Sequence, residues 1–187
     1  MISVAIIHAP GHPERSACVA AIQEQLPEAR VLLDTDKSGD AQIANRRGCW
    51  PMARRAWLMA TGTHHLVLED DAVLCADFRA VLARAIELAP DACLSLFHGD
   101  RWCSVATVMP RSVIESWLAW ADGNNQPHHD HMIIRGMRAI GASHWHVDPS
   151  IVDHAALPSL LGHPPVRALR FESNPGALSL VRPVWYP

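Results

Sequence analysis

Short runs of buried-type residues alternate with helical patterning along most of the chain. Residues 2–7, ISVAII, are continuously apolar and rich in β-branched side chains, which predicts a strand covered on both faces. A turn follows at APGHPERS, and SACVAAIQEQL (16–26) then carries apolar residues at helical spacing, with Ser16 placed as an N-cap. RVLLDT (30–35) repeats the buried-strand pattern and ends on Asp34, and the polar stretch DKSGDAQ reads as a loop. A helix at MARRAWLMATG (52–62) follows a Trp-Pro pair and stops near Gly62, leading into the strand of HHLVLEDDAVL (64–74).

Residues 77–89 pattern as an amphipathic helix, ACLSLFHG and SVATVMP as two strands, and RSVIESWLAWAD as a further helix. After GNNQP come a helix at HHDHMIIRGMRAIGA and a strand with a proline turn at SHWHVDPSIV. The last 25 residues hold five prolines and little periodicity, which predicts an extended tail over the surface. Strands alternating with helices predict an α/β fold: one domain over 1–187, with a mostly parallel, Rossmann-like sheet flanked by helices.

Composition narrows the function. Hydrophobic residues make up 49% and charged ones 19%, enough for a packed core. A net charge of -3 and the lack of a Lys/Arg run exclude a non-specific nucleic-acid or membrane-surface binder. No apolar stretch nears the roughly 20 residues that span a bilayer, so the expected setting is cytoplasmic, without a transmembrane segment. The cysteines at 18, 49, 75, 93 and 103 form no C-x-x-C pair and are expected as free thiols. Twelve histidines and seven tryptophans are unusual; histidine enrichment ordinarily means solvated surface.

The chemistry concentrates where Leu66, Val67 and Leu68 run into Glu69, Asp70 and Asp71, at the strand end where open α/β sheets place ligands. Three adjacent carboxylates repel one another, and a divalent cation with oxygen ligands relieves this. The alternative is that one acid caps a helix or pairs with an arginine while the others face water.

HHLVLEDDAVLCADF resembles the motif of GT-A glycosyltransferases, in particular glycosyltransferase family 25 of the lipopolysaccharide type. PERSACVAAI resembles that family's first helix with its arginine, and DHMIIRGMRAIGASHWHVDPSIVDH resembles a stretch with an aspartate on a helix, a proline-containing strand and a histidine. The resemblance implies a GT-A-like domain with a donor part at about 1–100, an acceptor and metal-completing part at about 101–165, and the tail from about 163. It implies Asp71 and His154 as ligands of Mn²⁺ (or Mg²⁺), Arg15, Asp34, Glu69 and Asp70 at a nucleotide-sugar donor with UDP favoured, and Asp130 as general base toward the hydroxyl of a glycan or other acceptor. The chain departs from the pattern in being short and in carrying EDD where many relatives have D-x-D.

Other residues stay open between two readings. His154 is either a metal ligand or a solvated histidine, and Trp50 and Trp57 stack on a base or sugar or else fill the core. Arg46, Arg47, Arg54 and Arg55 either offer a fork to a diphosphate or line the surface, and Asp100 is a strand-end acid or a loop acid. HHDH places His128 and His131 three apart, but the zinc reading lacks a third ligand at recognisable spacing. The competing functions are a metal-dependent phosphohydrolase or nucleotidyltransferase, and a non-catalytic sugar-nucleotide or glycan-binding module of the same fold.

Overall fold

The computed structural model describes residues 1–35, 50–99, 103–124, 129–157, 160 and 166–183. Seven strands form the central sheet: β1 (Ile2–His8), β2 (Arg30–Leu33), β3 (His64–Glu69), β5 (Cys93–Ser95), β6 (Ala106–Pro110), β7 (His144–Asp148) and β9 (Ser179–Val181), in the order β2-β1-β3-β6-β5-β7-β9. All but β6 and β9 run in one direction, so the sheet is mostly parallel. Two short strands, β4 (Ala72–Leu74) and β8 (Val152–His154), pair separately as an antiparallel ribbon.

Helices cover both faces, and the alternation along β1 and β3 sorts the core into two layers. Val4, Ile6, Leu66 and Leu68 face helices α1 (Pro13–Gln25) and α3 (Phe78–Leu88), while Ala5 and Val67 face a helix, α2, over residues 50–57, with α4 (Arg111–Gly123) and α5 (His129–Ala139). The buried residues of α3 fall at Phe78, Val81, Leu82, Ala85 and Ile86, one stripe of a 3.6-residue helix. At Gly136 of α5 a Cβ would stand 2.3 Å from Trp117 Cδ1, so α4 and α5 approach closely only with glycine there. The Trp117 indole N–H donates to the Met132 carbonyl at 2.9 Å across the same contact.

Three sequence expectations change. α1 starts at Pro13, whose fixed φ suits the first helical position, so Ser16 lies inside the helix and its N–H donates to the His12 carbonyl at 3.0 Å. Trp50 belongs to α2 rather than to a loop. The C-terminal segment is no mere surface strap: β9 pairs with β7, and bridges join Gly99 to Ala168 and Ser150 to Phe171. A three-residue strand among prolines is too short to show a period. Among the described residues no helix is long and apolar enough to cross a membrane.

Candidate active site

The parallel strands deliver their last residues to one edge of the sheet. His8 ends β1, Asp34 follows β2, and Glu69 ends β3 before the chain turns through Asp70 and Asp71 into β4. Because β6 runs the opposite way, the residues that precede it, Cys103 and Ser104, reach the same edge beside Glu69. The Glu69 N–H donates to the Val105 carbonyl at 2.9 Å, which fixes that juxtaposition.

Asp70 is fully engaged by protein groups. Its Oδ2 accepts from the Ala9 N–H at 2.8 Å and lies 2.9 Å from His8 Nδ1, while Oδ1 accepts from Arg15 Nη1. The same Arg15 nitrogen stands 2.8 Å from Asp71 Oδ2, and all three side chains are buried. Burial of the guanidinium works against its charge, but Asp71 and Asp70 outweigh that and raise the Arg15 pKa above its ordinary value. Arg15 therefore sits in the first turns of α1 rather than in a Pro-rich turn, and its charge is committed to holding two acids together.

Asp71 is only half satisfied. Its Oδ1 is buried and has no hydrogen-bond partner among the described residues, although Asp71 as a whole is 2% exposed. The β4–β8 ribbon sets Ala72 opposite His154, and the Ala155 N–H donates to the Asp71 carbonyl at 2.8 Å. As a result His154 Nε2 lies 3.5 Å from Asp71 Oδ2. His154 Nδ1 is 3.0 Å from the Ala155 carbonyl, which can only accept, so Nδ1 carries a proton and a neutral ring leaves Nε2 as a lone pair. A bare carboxylate oxygen and an imidazole lone pair brought together in a buried place fit a divalent cation. Asp153 steadies this ribbon, its Oδ1 accepting from the N–H groups of His154 at 2.8 Å and Ala168 at 2.9 Å and its Oδ2 from Arg167.

A relay runs from the core to Asp130 on α5. The Trp57 indole N–H donates to His129 Nε2 at 3.2 Å, which leaves the proton on His129 Nδ1 to be donated to Ser104 Oγ at 3.3 Å. The Ser104 hydroxyl faces both Asp130 Oδ1 at 2.5 Å and Glu69 Oε1 at 3.2 Å. One hydroxyl proton serves one carboxylate at a time, and the shorter contact favours Asp130. Ser104 thus joins Asp130 to the acidic turn. Cys103 lies alongside: burial first, then Glu69 and Asp130, push its thiol pKa well above the ordinary value.

Of the residues singled out in sequence, Arg15, Glu69, Asp70, Asp71, Asp130 and His154 come together here, with Asp34 buried at the neighbouring strand end, its N–H donating to the His8 carbonyl at 2.7 Å. Trp57 is core, fully buried, and Trp50 packs edge-on against Trp117 with centroids 5.5 Å apart. Arg54 forks onto Asp122 at 2.6 and 2.8 Å and tethers α2 to α4 instead of serving a diphosphate. Arg46, Arg47, Asp100, His128 and Cys49 lie outside the described residues, and the other four cysteines are free thiols. His8, Cys103, Ser104 and His129 had no sequence signal except that His8 ends an apolar run.

A second polar cluster lies within the sheet, under α5, where the histidines are buried rather than solvated. His144 Nε2 is 3.1 Å from Ser95 Oγ, His146 Nδ1 donates to the Phe97 carbonyl at 3.2 Å, and the two rings stack 5.6 Å apart. Burial lowers the His144 pKa to about 3, helped by His146. It lowers that of His146 to about 4, with His98 acting the same way and the Phe97 bond opposing.

No family model matches the chain, and no curated protein matches it in sequence. Solved structures do match. A glycosyltransferase involved in glycosylation of the major capsid of PBCV-1 aligns at a TM-score of 0.50 with 11% identity, covering 90% of this chain and 92% of that one. The bifunctional IspDF of Campylobacter jejuni aligns at 0.46 with 11% identity over 78% of this chain and 48% of that one. A putative glucose-1-phosphate thymidylyltransferase of Bacillus anthracis aligns at 0.40 with 8% identity over 76% and 66%. The first likeness shows a shared fold, a mixed α/β sheet of the glycosyltransferase-like kind.

Proposed function

We propose that the chain is a metal-dependent glycosyltransferase that moves a sugar from a nucleoside diphosphate sugar, a UDP-sugar by preference, to an acceptor hydroxyl. The observation that carries this reading is the buried, unpartnered Asp71 Oδ1 beside the His154 Nε2 lone pair, at the carboxyl end of a central strand. The likeness in fold to a glycosyltransferase supports it.

Asp71 and His154 would hold Mn²⁺ or Mg²⁺, which when bound supplies positive charge to the leaving diphosphate. Arg15 bridges Asp70 and Asp71 and holds both side chains in place, so Asp71 presents its open oxygen without recoiling from its neighbour. Asp70, engaged on both oxygens, holds the loop that carries Asp71. Asp34 and Glu69, at the strand ends on either side of β1, would meet the ribose and base side of the donor. Asp130 takes the acceptor hydroxyl proton, and the Trp57–His129–Ser104 relay orients its carboxylate for that task.

Calorimetry with UDP and GDP, with and without Mn²⁺, tests the reading. UDP should bind only with the metal, and a UDP-sugar should then lose its sugar to water or acceptor. Metal-independent binding, or none, would sink it. Pyrophosphate released from a nucleoside triphosphate would assign nucleotidyl transfer instead, and metal-dependent binding without turnover a non-catalytic module.

A further inference from the structure

Cys103 is not explained by sugar transfer, yet it stands among groups that bind metals. Its sulfur, a carboxylate oxygen of Glu69 and a ring nitrogen of His154 all lie within 4.8 Å of one another. Thiolate, imidazole and carboxylate together form a donor set that favours zinc over magnesium, which takes oxygen ligands. A tetrahedral zinc ion with bonds of about 2.0–2.3 Å sets its donors roughly 3.3–3.8 Å apart, so donors at the 4.8 Å limit draw in by about 1.0–1.5 Å. Glu69 and Cys103 are half-buried, and Glu69 is held by the Ser104 hydroxyl at 3.2 Å, while His154 is anchored by its Nδ1 bond to the Ala155 carbonyl.

Asp71 gives an independent indication. It is 2% exposed, its Oδ1 is unpartnered among the described residues, and its Oδ2 lies 3.5 Å from His154 Nε2, so a buried carboxylate with an open oxygen stands beside the same imidazole. We propose that Glu69, Cys103 and His154 bind zinc, and that zinc there excludes the cation used for nucleotide binding because both need the imidazole of His154. Cys103 releases its thiol proton to solvent as the sulfur–zinc bond forms. The exclusion, though not the zinc site itself, rests on the glycosyltransferase reading.

Cobalt titration of the full chain is the direct test, since thiolate-bound Co²⁺ absorbs in the near ultraviolet. The wild type should develop this band to one cobalt per chain and lose it on adding zinc. Cys103→Ser should abolish the band and weaken zinc by about 100-fold or more, beyond what loss of a supporting group costs. Glu69→Gln should keep the band while zinc affinity falls about tenfold, with circular dichroism confirming the fold of each variant. A band that survives Cys103→Ser places the metal on another cysteine and overturns the site, as does no band in the wild type. In a second arm, zinc should suppress Mn²⁺-dependent UDP binding in the wild type and not in Cys103→Ser. Undiminished UDP binding to the zinc-loaded protein overturns the exclusion. UDP that binds under no condition, with the cobalt band intact, removes the nucleotide reading and leaves the zinc site standing.

Discussion

The acidic turn after β3 and the histidine pair on β7 are both polar clusters buried in an α/β core, but they answer burial in opposite ways. At the turn, a permanent cation is built in: Asp70 and Asp71 share Arg15, and a carboxylate oxygen of Asp71 has no hydrogen-bond partner among the described residues. On β7, charge is given up: His144 and His146 stay neutral down to about pH 3 and 4 and settle for a serine hydroxyl and a backbone carbonyl. Burying a neutral imidazole costs far less than burying a carboxylate, so an open oxygen on a buried acid asks for a positive partner more strongly than anything in the histidine cluster does. That difference locates the candidate chemistry better than residue type does.

The sharpest break in this comparison is Arg15→Ala, which leaves two buried carboxylates without their shared cation. Chemical denaturation should show a loss of about 3–5 kcal/mol, the scale of breaking a buried ion pair. Saturating Mn²⁺ should restore part of it if the site takes metal, and a variant as stable as the wild type would show the acids to be solvated.

Acid should weaken the β7 cluster next. The folded pKa values of His144 and His146 lie below the ordinary 6.5, so the unfolded chain binds more protons between those limits. Their contribution is therefore complete above about pH 6.5 and drains away as pH falls toward 4 and then 3. Denaturation across pH 7 to 5 should register roughly 2–4 kcal/mol, at up to about 1.4 kcal/mol per pH unit for each histidine. Converting both to glutamine should flatten the slope; an unaltered slope would assign it to the carboxylates.

Smaller in free energy but decisive for function, Asp71→Asn should reduce Mn²⁺-stimulated UDP binding by about 100-fold, since a hard cation depends on anionic oxygen. Melting temperature should stay level, because the amide oxygen can still accept from Arg15 and Asp70 keeps the charge pair. Asp130→Asn should leave UDP binding intact while acceptor transfer falls by roughly 100-fold, as expected on losing a general base. A near wild-type rate would reduce Asp130 to a helix residue bonded to Ser104.

Strand β3 and the acids after it were legible because a buried run ending in three carboxylates is a contradiction that local sequence displays. The continuous apolar run of β1 and the stripe of α3 were legible too, since each writes its burial into neighbouring residues. Arg15 was visible as a residue but not as a partner, since the reach from α1 to Asp70 and Asp71 is tertiary. Ser104 and Cys103 could not be found, because their place beside Glu69 depends on β6 running antiparallel to β3, a fact of topology with no local pattern. The burial of His144 and His146 could not be read from the histidine count, which cannot distinguish a solvated imidazole from a buried neutral one. β9 was hidden in a segment where prolines mask so short a strand.

The β4–β8 ribbon also has a bearing on synthesis. It couples Asp71 to His154 across roughly eighty residues of sequence, a separation larger than any other link in the acidic turn. At translation rates of about 5–20 residues per second, that interval amounts to several seconds during which Asp71 exists without its imidazole neighbour. A nascent chain in this interval has the early strands and the acids but lacks His154, the second of the two proposed cation ligands. Ion capture consequently becomes a timestamp: metal retained by a ribosome-stalled chain reports that the ribbon has closed, and a stall placed before residue 152 should retain none.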